Sequence, residues 1–361
     1  MEVYYSLYAL IFVIAIIAYL LYDNNKVNRK KFICFTSFLF LFLLLALRHQ
    51  SMGIDMNYRE ATGYLGSFDI INSMSWKQVL RLDTYLNYEK GYIIFNKFVG
   101  SVYNNRNFFM GVCAFINILP IAIYVYYKSK LPVMSVIIFL ALPTFLMYFS
   151  GLRQGIAISL TLCSLYFIEN KKKLFFALTV FLASLFHYSA LIFIIAYPMY
   201  YMKLTNVKRV FLPITVFAVY LLKYPLFNIL GKFFKDDAAA NEMATGGTLF
   251  FIFLLMYIFM LFFYRKSEKK ENDHINGAIN LFYVACICQS FSSIYDTAMR
   301  VGYYFMIYLI IALPNTIAKF EKKEKTIIYM IIVVLFMMFG IRNFSSVDSF
   351  AKTNPYVFFW K

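Results

Sequence analysis

The feature that most constrains this chain is a recurring alternation of apolar runs and short basic clusters. The runs fall near 4–22, 32–47, 108–127, 132–149, 155–168, 174–202, 210–224, 248–264, 276–293, 301–318 and 326–341. A helix that crosses a bilayer uses about 20 apolar residues, and most of these runs approach that length. They are continuous rather than alternating, which excludes a membrane β-barrel. A soluble globule is excluded by the total: 62% of the 361 residues are hydrophobic and 15% charged, against roughly 45–50% and 25% in soluble domains. The expectation is an all-α polytopic membrane protein with about 11–12 transmembrane helices or half-helices, forming one integral membrane domain over 1–361. The first run lacks a small-residue cleavage site and is read as a retained helix.

A net charge of +17 would suggest nucleic acid in a soluble protein. Here 20 of the 35 basic residues sit in six clusters between runs: Lys26–Lys31, Lys128–Lys130, Lys171–Lys173, Lys203–Arg209, Arg265–Lys270 and Lys319–Lys325. Such loops face the cytoplasm and its anionic leaflet, so no nucleic-acid partner is expected. All six share that side only if 174–202 enters and returns as two half-helices meeting near His187; a single crossing would leave 16 basic residues inside and 19 outside. Broken backbone at depth is tolerated where it lines a protein or water cavity. Both termini, a large loop over 48–107 with an interfacial segment at Tyr92–Tyr103, and a second loop over 225–247 with Asp236, Asp237 and Glu242 then face outward, the second as a mobile gate. The five cysteines lie inside apolar runs and read as small buried hydrophobes. No metal-ligand cluster is present, and His274, beside Glu271 and Asp273, reads as solvated.

Charged side chains at the outer ends of membrane helices are costly and tend to be functional. Six are expected on one face: Arg48, Asp55, Glu89, Arg153, His187 and Arg300. Gly53 allows the chain beyond Arg48 to turn and fold Asp55 back. Arg153 and Gln154 begin a helix between Gly151 and Gly155, where a planar guanidinium and free amide hydrogens suit a pyrophosphate. His187 is titratable inside an apolar run. Glu89 has Lys90 beside it and reads by default as solvated; Arg300 can pair with Asp296.

Arg48 with Gly53, Asp55 and Tyr58; Glu89, Gly91, Tyr92 and Asn96; Ser150–Ala157 around Arg153 and Gln154; Phe186–Ala190 around His187; and Asn354, Pro355 and Tyr356 together resemble the EpsG family, which is similar to the Wzy-type bacterial polysaccharide polymerases. The resemblance implies a metal-independent, cofactor-free glycosyltransferase of GT-C-like architecture in the bacterial cytoplasmic membrane. Its substrate would be an undecaprenyl-pyrophosphate-linked oligosaccharide at the outer face, and membrane lipids, a flippase and a chain-length regulator of the pathway would be its partners. In that chemistry Arg153 and Arg300 neutralise the departing pyrophosphate, one of His187, Asp55 and Glu89 is general base, and one displacement inverts the anomeric centre. Tyr58 and Tyr92 would stack on sugars, and Arg48 and Gln154 would bind substrate. An O-antigen-ligase-like transferase differs only in acceptor. A glycolipid flippase would show two related halves with paired broken helices, a symmetry the sequence lacks, and a membrane O-acyltransferase would need no phosphate-binding arginine.

Overall fold

The computed structural model describes residues 1–56, 63–81, 87–234, 246–263, 269–345 and 351–360. Apolar runs without alternation leave the helix as the one way to satisfy backbone groups inside a bilayer, and helices are what forms. Their order is α1 (Glu2–Leu21), α2 (Lys26–Ala46), α3 (Tyr64–Ser73), α4 (Trp76–Arg81), α5 (Lys90–Val102), α6 (Arg106–Lys128), α7 (Pro132–Ala141), α8 (Pro143–Ser150), α9 (Leu152–Glu169) and α10 (Lys173–Ser184). A 3-10 turn over Tyr188–Ile195 leads to α11 (Ala196–Tyr200), α12 (Asn206–Leu221), α13 (Lys223–Phe234), α14 (Gly246–Phe263), α15 (Lys269–Ser290), α16 (Asp296–Met306), α17 (Leu309–Ile317) and α18 (Lys322–Ser345). Among the described residues the only strand-like pairing is an isolated antiparallel bridge between Arg48 and Phe358.

The chain is an all-α polytopic membrane protein. Among the described residues three helices, α1, α6 and α18, are each long and apolar enough to cross a membrane alone, and three bent pairs pass the same test together. Two of those pairs, α7–α8 and α16–α17, are runs that the sequence presents as single spans, and the third joins the 210–224 run to the start of the expected 225–247 loop. Pro143 starts α8 after a 58° bend from α7, α12 and α13 meet at 76°, and α16 and α17 at 47°. Proline explains the first, because it supplies no N–H and pushes the preceding residue out of helical geometry. The carbonyl of Ala141 at this bend accepts a bond from Asn343 Nδ2 at 3.1 Å.

Packing divides the chain into two units, Met1–Leu191 with Thr326–Lys361, and Ile192–Lys325. In the first, every residue from Val133 to Ser150 is buried, as expected of a segment apolar on all sides. Here α6 and α9 run parallel: Ser159 Oγ bonds the Asn117 carbonyl at 3.4 Å, and toward the C-terminal ends Lys128 Nζ lies 2.7 Å from Glu169. By contrast α2 runs the other way. Lys30 near its start sits over the Tyr126 ring, while Arg48 beyond its end reaches Phe149, just before α9. The clusters Lys26–Lys31, Lys128–Lys130 and Lys171–Lys173 therefore share one end of this unit, and Arg48 and Arg153 share the other. The 18 residues of α9 separate the two ends by about 27 Å. The chain termini meet at the arginine end, where Tyr4 stacks on Phe344 at 4.1 Å and donates to the Thr353 carbonyl at 2.6 Å.

Where it is described, the segment 48–107 is largely helical rather than an extended loop. Ile54–Met56 form a 3-10 turn, and α3, α4 and α5 fold against one another. Lys97 fastens them, its ammonium bonding the carbonyls of Asn72 at 3.1 Å and Met74 at 2.6 Å where α3 ends. Of the second expected loop, 225–234 lies in α13, and residues 235–245, with Asp236, Asp237 and Glu242, lie outside the described residues.

In the second unit the bent pair α16–α17 is buried from Gly302 to Ile317. His274, expected in a solvated loop, is instead on α15, its Nδ1 2.9 Å from the Tyr200 hydroxyl. Gly277, one turn on, explains the close packing, since a Cβ there would lie 2.3 Å from the Tyr200 ring. The cysteines divide as well: Cys34, Cys113 and Cys286 are buried, Cys288 is intermediate, and Cys163 is exposed on α9.

Candidate active site

Three chain segments of the first unit converge at the end opposite its basic clusters. The first is the α8–α9 junction. Gly151 makes a tight turn there, since an added Cβ would sit 2.0 Å from the Met147 methyl, and Arg153 follows in the first turn of α9. The second is the start of α5, which Glu89 precedes as N-cap. The third is the interruption of the 174–202 run: α10 ends at Ser184 and the 3-10 turn begins at Tyr188, so the break falls on Leu185–His187.

Gly91 allows the second and third segments to touch. A Cβ on it would lie 2.7 Å from Leu185 Cβ and 2.8 Å from the Leu185 carbonyl oxygen, and the Tyr92 N–H donates to that same carbonyl at 3.2 Å. Glu89 is thereby held against the break and joins all three segments. Its Oε2 accepts from Arg153 Nη1 at 2.5 Å; its Oε1 lies 3.1 Å from His187 Nδ1 and accepts the Tyr188 N–H at 3.1 Å. The side chains of Arg153, Glu89 and His187 are 21%, 19% and 28% exposed, so the group is sheltered but open on one side. Burial alone would raise the Glu89 pKa; the hydrogen bond from His187 and the Arg153 charge outweigh it and hold the carboxyl down at about 2. Glu89 is thus a carboxylate with both oxygens engaged.

Two tyrosines that the sequence does not single out flank the guanidinium. Its carbon stands 4.5 Å from the Tyr88 ring centre and 5.8 Å from that of Tyr64, and its Nε donates to the Tyr64 hydroxyl at 3.4 Å. Cation–π contact of this kind is stronger where water is excluded. Tyr88 adjoins Glu89 in sequence, but no spacing links either tyrosine to residue 153.

The remaining sequence candidates are placed differently. Tyr92, expected to meet sugars, is fully buried: its ring packs edge-on to Tyr64 and Tyr88, with Phe68, Phe109, Leu152 and Ile156 in the same cluster. The physical reason is that residues 48–107 fold into helices whose apolar sides need covering, and Tyr92 lies on the inner side of α5. Arg48 is 1% exposed, its guanidinium bonding the carbonyls of Leu45 at 3.0 Å and Phe149 at 3.3 Å, over the Phe149 ring. Its backbone is pinned by the C-terminal segment, with His49 N–H donating to Val357 and Phe359 N–H to Leu47. Gly53 does turn the chain, at φ +97°, and a Cβ there would strike the Phe149 carbonyl. Asp55 accordingly folds back, its N–H donating to Ser150 Oγ at 3.2 Å, with its side chain half-buried beside the same junction. Gln154 is buried at the start of α9. Arg300 is half-buried on α16 of the second unit, and Tyr58 lies outside the described residues. Among the described residues no three His, Cys, Asp or Glu side chains gather as a metal-binding set.

No curated protein and no solved structure matches the chain. The model of the EpsG family matches residues 31–358, nearly the whole length, and the matched span contains all three segments that build the Arg153–Glu89–His187 group. A membrane protein matched over that extent belongs to the EpsG family, whose members are Wzy-like, polymerase-type proteins of polysaccharide biosynthesis.

Proposed function

We propose that the protein is a polysaccharide polymerase of the bacterial cytoplasmic membrane. It transfers a glycan from undecaprenyl pyrophosphate to a sugar hydroxyl of a second lipid-linked repeat unit. The observation that carries this reading is the Glu89 carboxylate joining a guanidinium to an imidazole, because glycosyl transfer from a pyrophosphate needs a cation and a base side by side. Both carboxylate oxygens are acceptors, so the His187 Nδ1 carries the proton it donates to Glu89, and Nε2 is left as the proton acceptor. Glu89, ionised down to about pH 2, is too weak a base for the step itself and serves as a positioning residue. In the reaction His187 Nε2 takes the acceptor hydroxyl proton while that oxygen bonds to the anomeric carbon. The bond from that carbon to the pyrophosphate oxygen breaks with inversion.

The pyrophosphate departs with an added negative charge, which Arg153 meets through Nη2, the terminal nitrogen that Glu89 does not engage. No metal ion enters this chemistry. Asp55, beside the same junction, orients the acceptor, and Gln154 and Arg48 hold the α8–α9 turn from within. The active face is the outer one, supported by the three basic clusters at the opposite end of the first unit and the positive-inside bias. The test is to incubate the purified protein with a lipid-linked repeat unit and resolve the products on a gel. A ladder that disappears in His187→Ala and persists in a control with a lipid-facing substitution supports the reading. A single transfer to another acceptor, or translocation without polymer, would replace it by a ligase or a flippase.

A further inference from the structure

Among the described residues two groups hydrogen-bond the Arg153 guanidinium, and the reaction assigned above uses only Glu89. The other is Tyr64, at the start of α3, whose hydroxyl oxygen accepts from Nε at 3.4 Å. In a planar guanidinium the N–H of Nε and one N–H of Nη2 point out from the same edge, side by side. Glu89 takes Nη1, away from that edge, so Tyr64 stands next to Nη2, the nitrogen left for a phosphate. The ring is fixed there: the residue is 6% exposed, meeting Tyr92 edge-on at 5.7 Å and Tyr88 at 5.9 Å. Its hydroxyl hydrogen goes to no described acceptor; the Asp55 charge acts on the group without accepting a bond from it. Burial above all holds the hydroxyl pKa up, at about 12, against the Arg153 charge, so the proton stays on the oxygen. An enclosed donor without an acceptor is costly unless a ligand supplies one.

We propose that the Tyr64 hydroxyl donates a hydrogen bond to the pyrophosphate oxygen that Arg153 holds through Nη2. This rests on the pyrophosphate role given to Arg153 above and adds a neutral donor to it. An oxygen on Nη2 lies beside the tyrosine oxygen, within reach of a hydrogen that can rotate toward it. A hydroxyl that accepts from a cation is polarised and donates more strongly. The bond tightens as negative charge gathers on the departing group, and the proton stays on Tyr64 throughout. Tyr88 has a different part: its ring lies over the guanidinium at 4.5 Å, and its hydroxyl accepts from Ser67 Oγ at 3.2 Å.

The probe is undecaprenyl pyrophosphate, titrated into the full-length protein in detergent micelles by calorimetry. Tyr64→Phe removes one oxygen and keeps the ring, so the melt followed by circular dichroism should be unchanged, while the Kd should rise about 10- to 100-fold, as for one hydrogen bond to a charged group. Undecaprenol, which carries no phosphate, should bind wild type and Tyr64→Phe alike. A hydroxyl that merely steadied Arg153 would lose its effect once Arg153 is gone; a direct donor would not. In the Arg153→Ala background, Tyr64→Phe should therefore still weaken undecaprenyl pyrophosphate binding by about threefold or more. If Arg153→Ala weakens binding but Tyr64→Phe does not, the Tyr64 role falls and the pyrophosphate reading stands. If Arg153→Ala binds as tightly as wild type, that reading fails and takes the proposal with it. No further loss in the double variant, or an equal loss of undecaprenol binding in Tyr64→Phe, would also overturn the proposal.

Discussion

Replacing Glu89 with glutamine changes one atom type and separates a carboxylate that fixes the His187 tautomer from a mere hydrogen-bonding strut. The carboxylate accepts from three donors: Arg153 Nη1 at 2.5 Å, His187 Nδ1 at 3.1 Å and the Tyr188 N–H at 3.1 Å. An amide has one acceptor, so whichever way it turns, its NH2 faces a donor. If the oxygen stays on Arg153, the NH2 confronts the Tyr188 N–H and forces His187 Nδ1 to accept, which moves the ring proton onto Nε2 and abolishes the base. If the oxygen turns to His187, the NH2 confronts the guanidinium. The energetic scale follows from the carboxyl titration. Between its ordinary value of 4.5 and about 2, at about 1.4 kcal/mol per pH unit, the native contacts favour the ionised form by roughly 3 kcal/mol. Because the pair is one-fifth exposed, about 2 kcal/mol is the better figure for stability.

The pH dependence follows with a definite sign. A carboxyl whose pKa is lower in the folded state stabilises the fold above pH 4.5, and that contribution is lost as pH falls from about 4.5 to about 2. Circular-dichroism melts in detergent should show wild type losing about 2 kcal/mol across that window relative to Glu89→Gln, while at pH 7 the variant is the less stable by a similar amount. Turnover of a lipid-linked repeat unit should fall about 10²- to 10⁴-fold, the range for a misplaced general base. Polymer yield within threefold of wild type, together with an unchanged melt at pH 7, would refute the assignment of Glu89 as the group that fixes the His187 tautomer.

Arg153→Lys should fail nearly as badly as Arg153→Ala, because an ammonium cannot hold Glu89 and a phosphate oxygen in one fixed plane; accumulated single repeat units on the gel are the readout, and free substitution by lysine would reject the phosphate role. Gly91→Ala places a Cβ 2.7 Å from that of Leu185, an overpacking that typically costs about 1–3 kcal/mol. It should lower the melting temperature and polymer yield together, and a wild-type melt would show that the α5–α10 contact gives way easily. A cysteine at the exposed position of Tyr188 should react with an impermeant maleimide from outside the cell, and one at Lys172 only after permeabilisation; the reverse pattern would invert the proposed topology.

Much of this protein was legible along its sequence. The length and continuity of the apolar runs settle the helical membrane class, because hydrogen bonding inside lipid permits little else. The turn at Gly53 and the pairing of Arg153 with Gly151 are local consequences of residue type and can be read from neighbours alone, while the break near His187 is read from the placement of the basic clusters along the whole chain. Glu89 shows where that reading ends. With Lys90 beside it, it looks like a solvated loop carboxylate. Only the approach of α5 to the end of α10, made possible by Gly91 with Leu185 94 positions away, brings it to Arg153 and His187.

The same holds in reverse for Arg48 and Tyr92. In sequence they look like an interfacial cation and a sugar platform. In the folded chain the arginine is enclosed by Leu45, Phe149 and the C-terminal segment, and the tyrosine fills the core beneath the site. The bend in the α16–α17 pair belongs to the same class, since no proline stands at it, whereas Pro143 and Pro225 stand at the other two bends. Residue chemistry and periodicity act over a few residues and determine what each segment becomes. Which side chains are buried, and which charges meet, depends on close approaches between segments tens to hundreds of residues apart, and those are settled by how the helices pack.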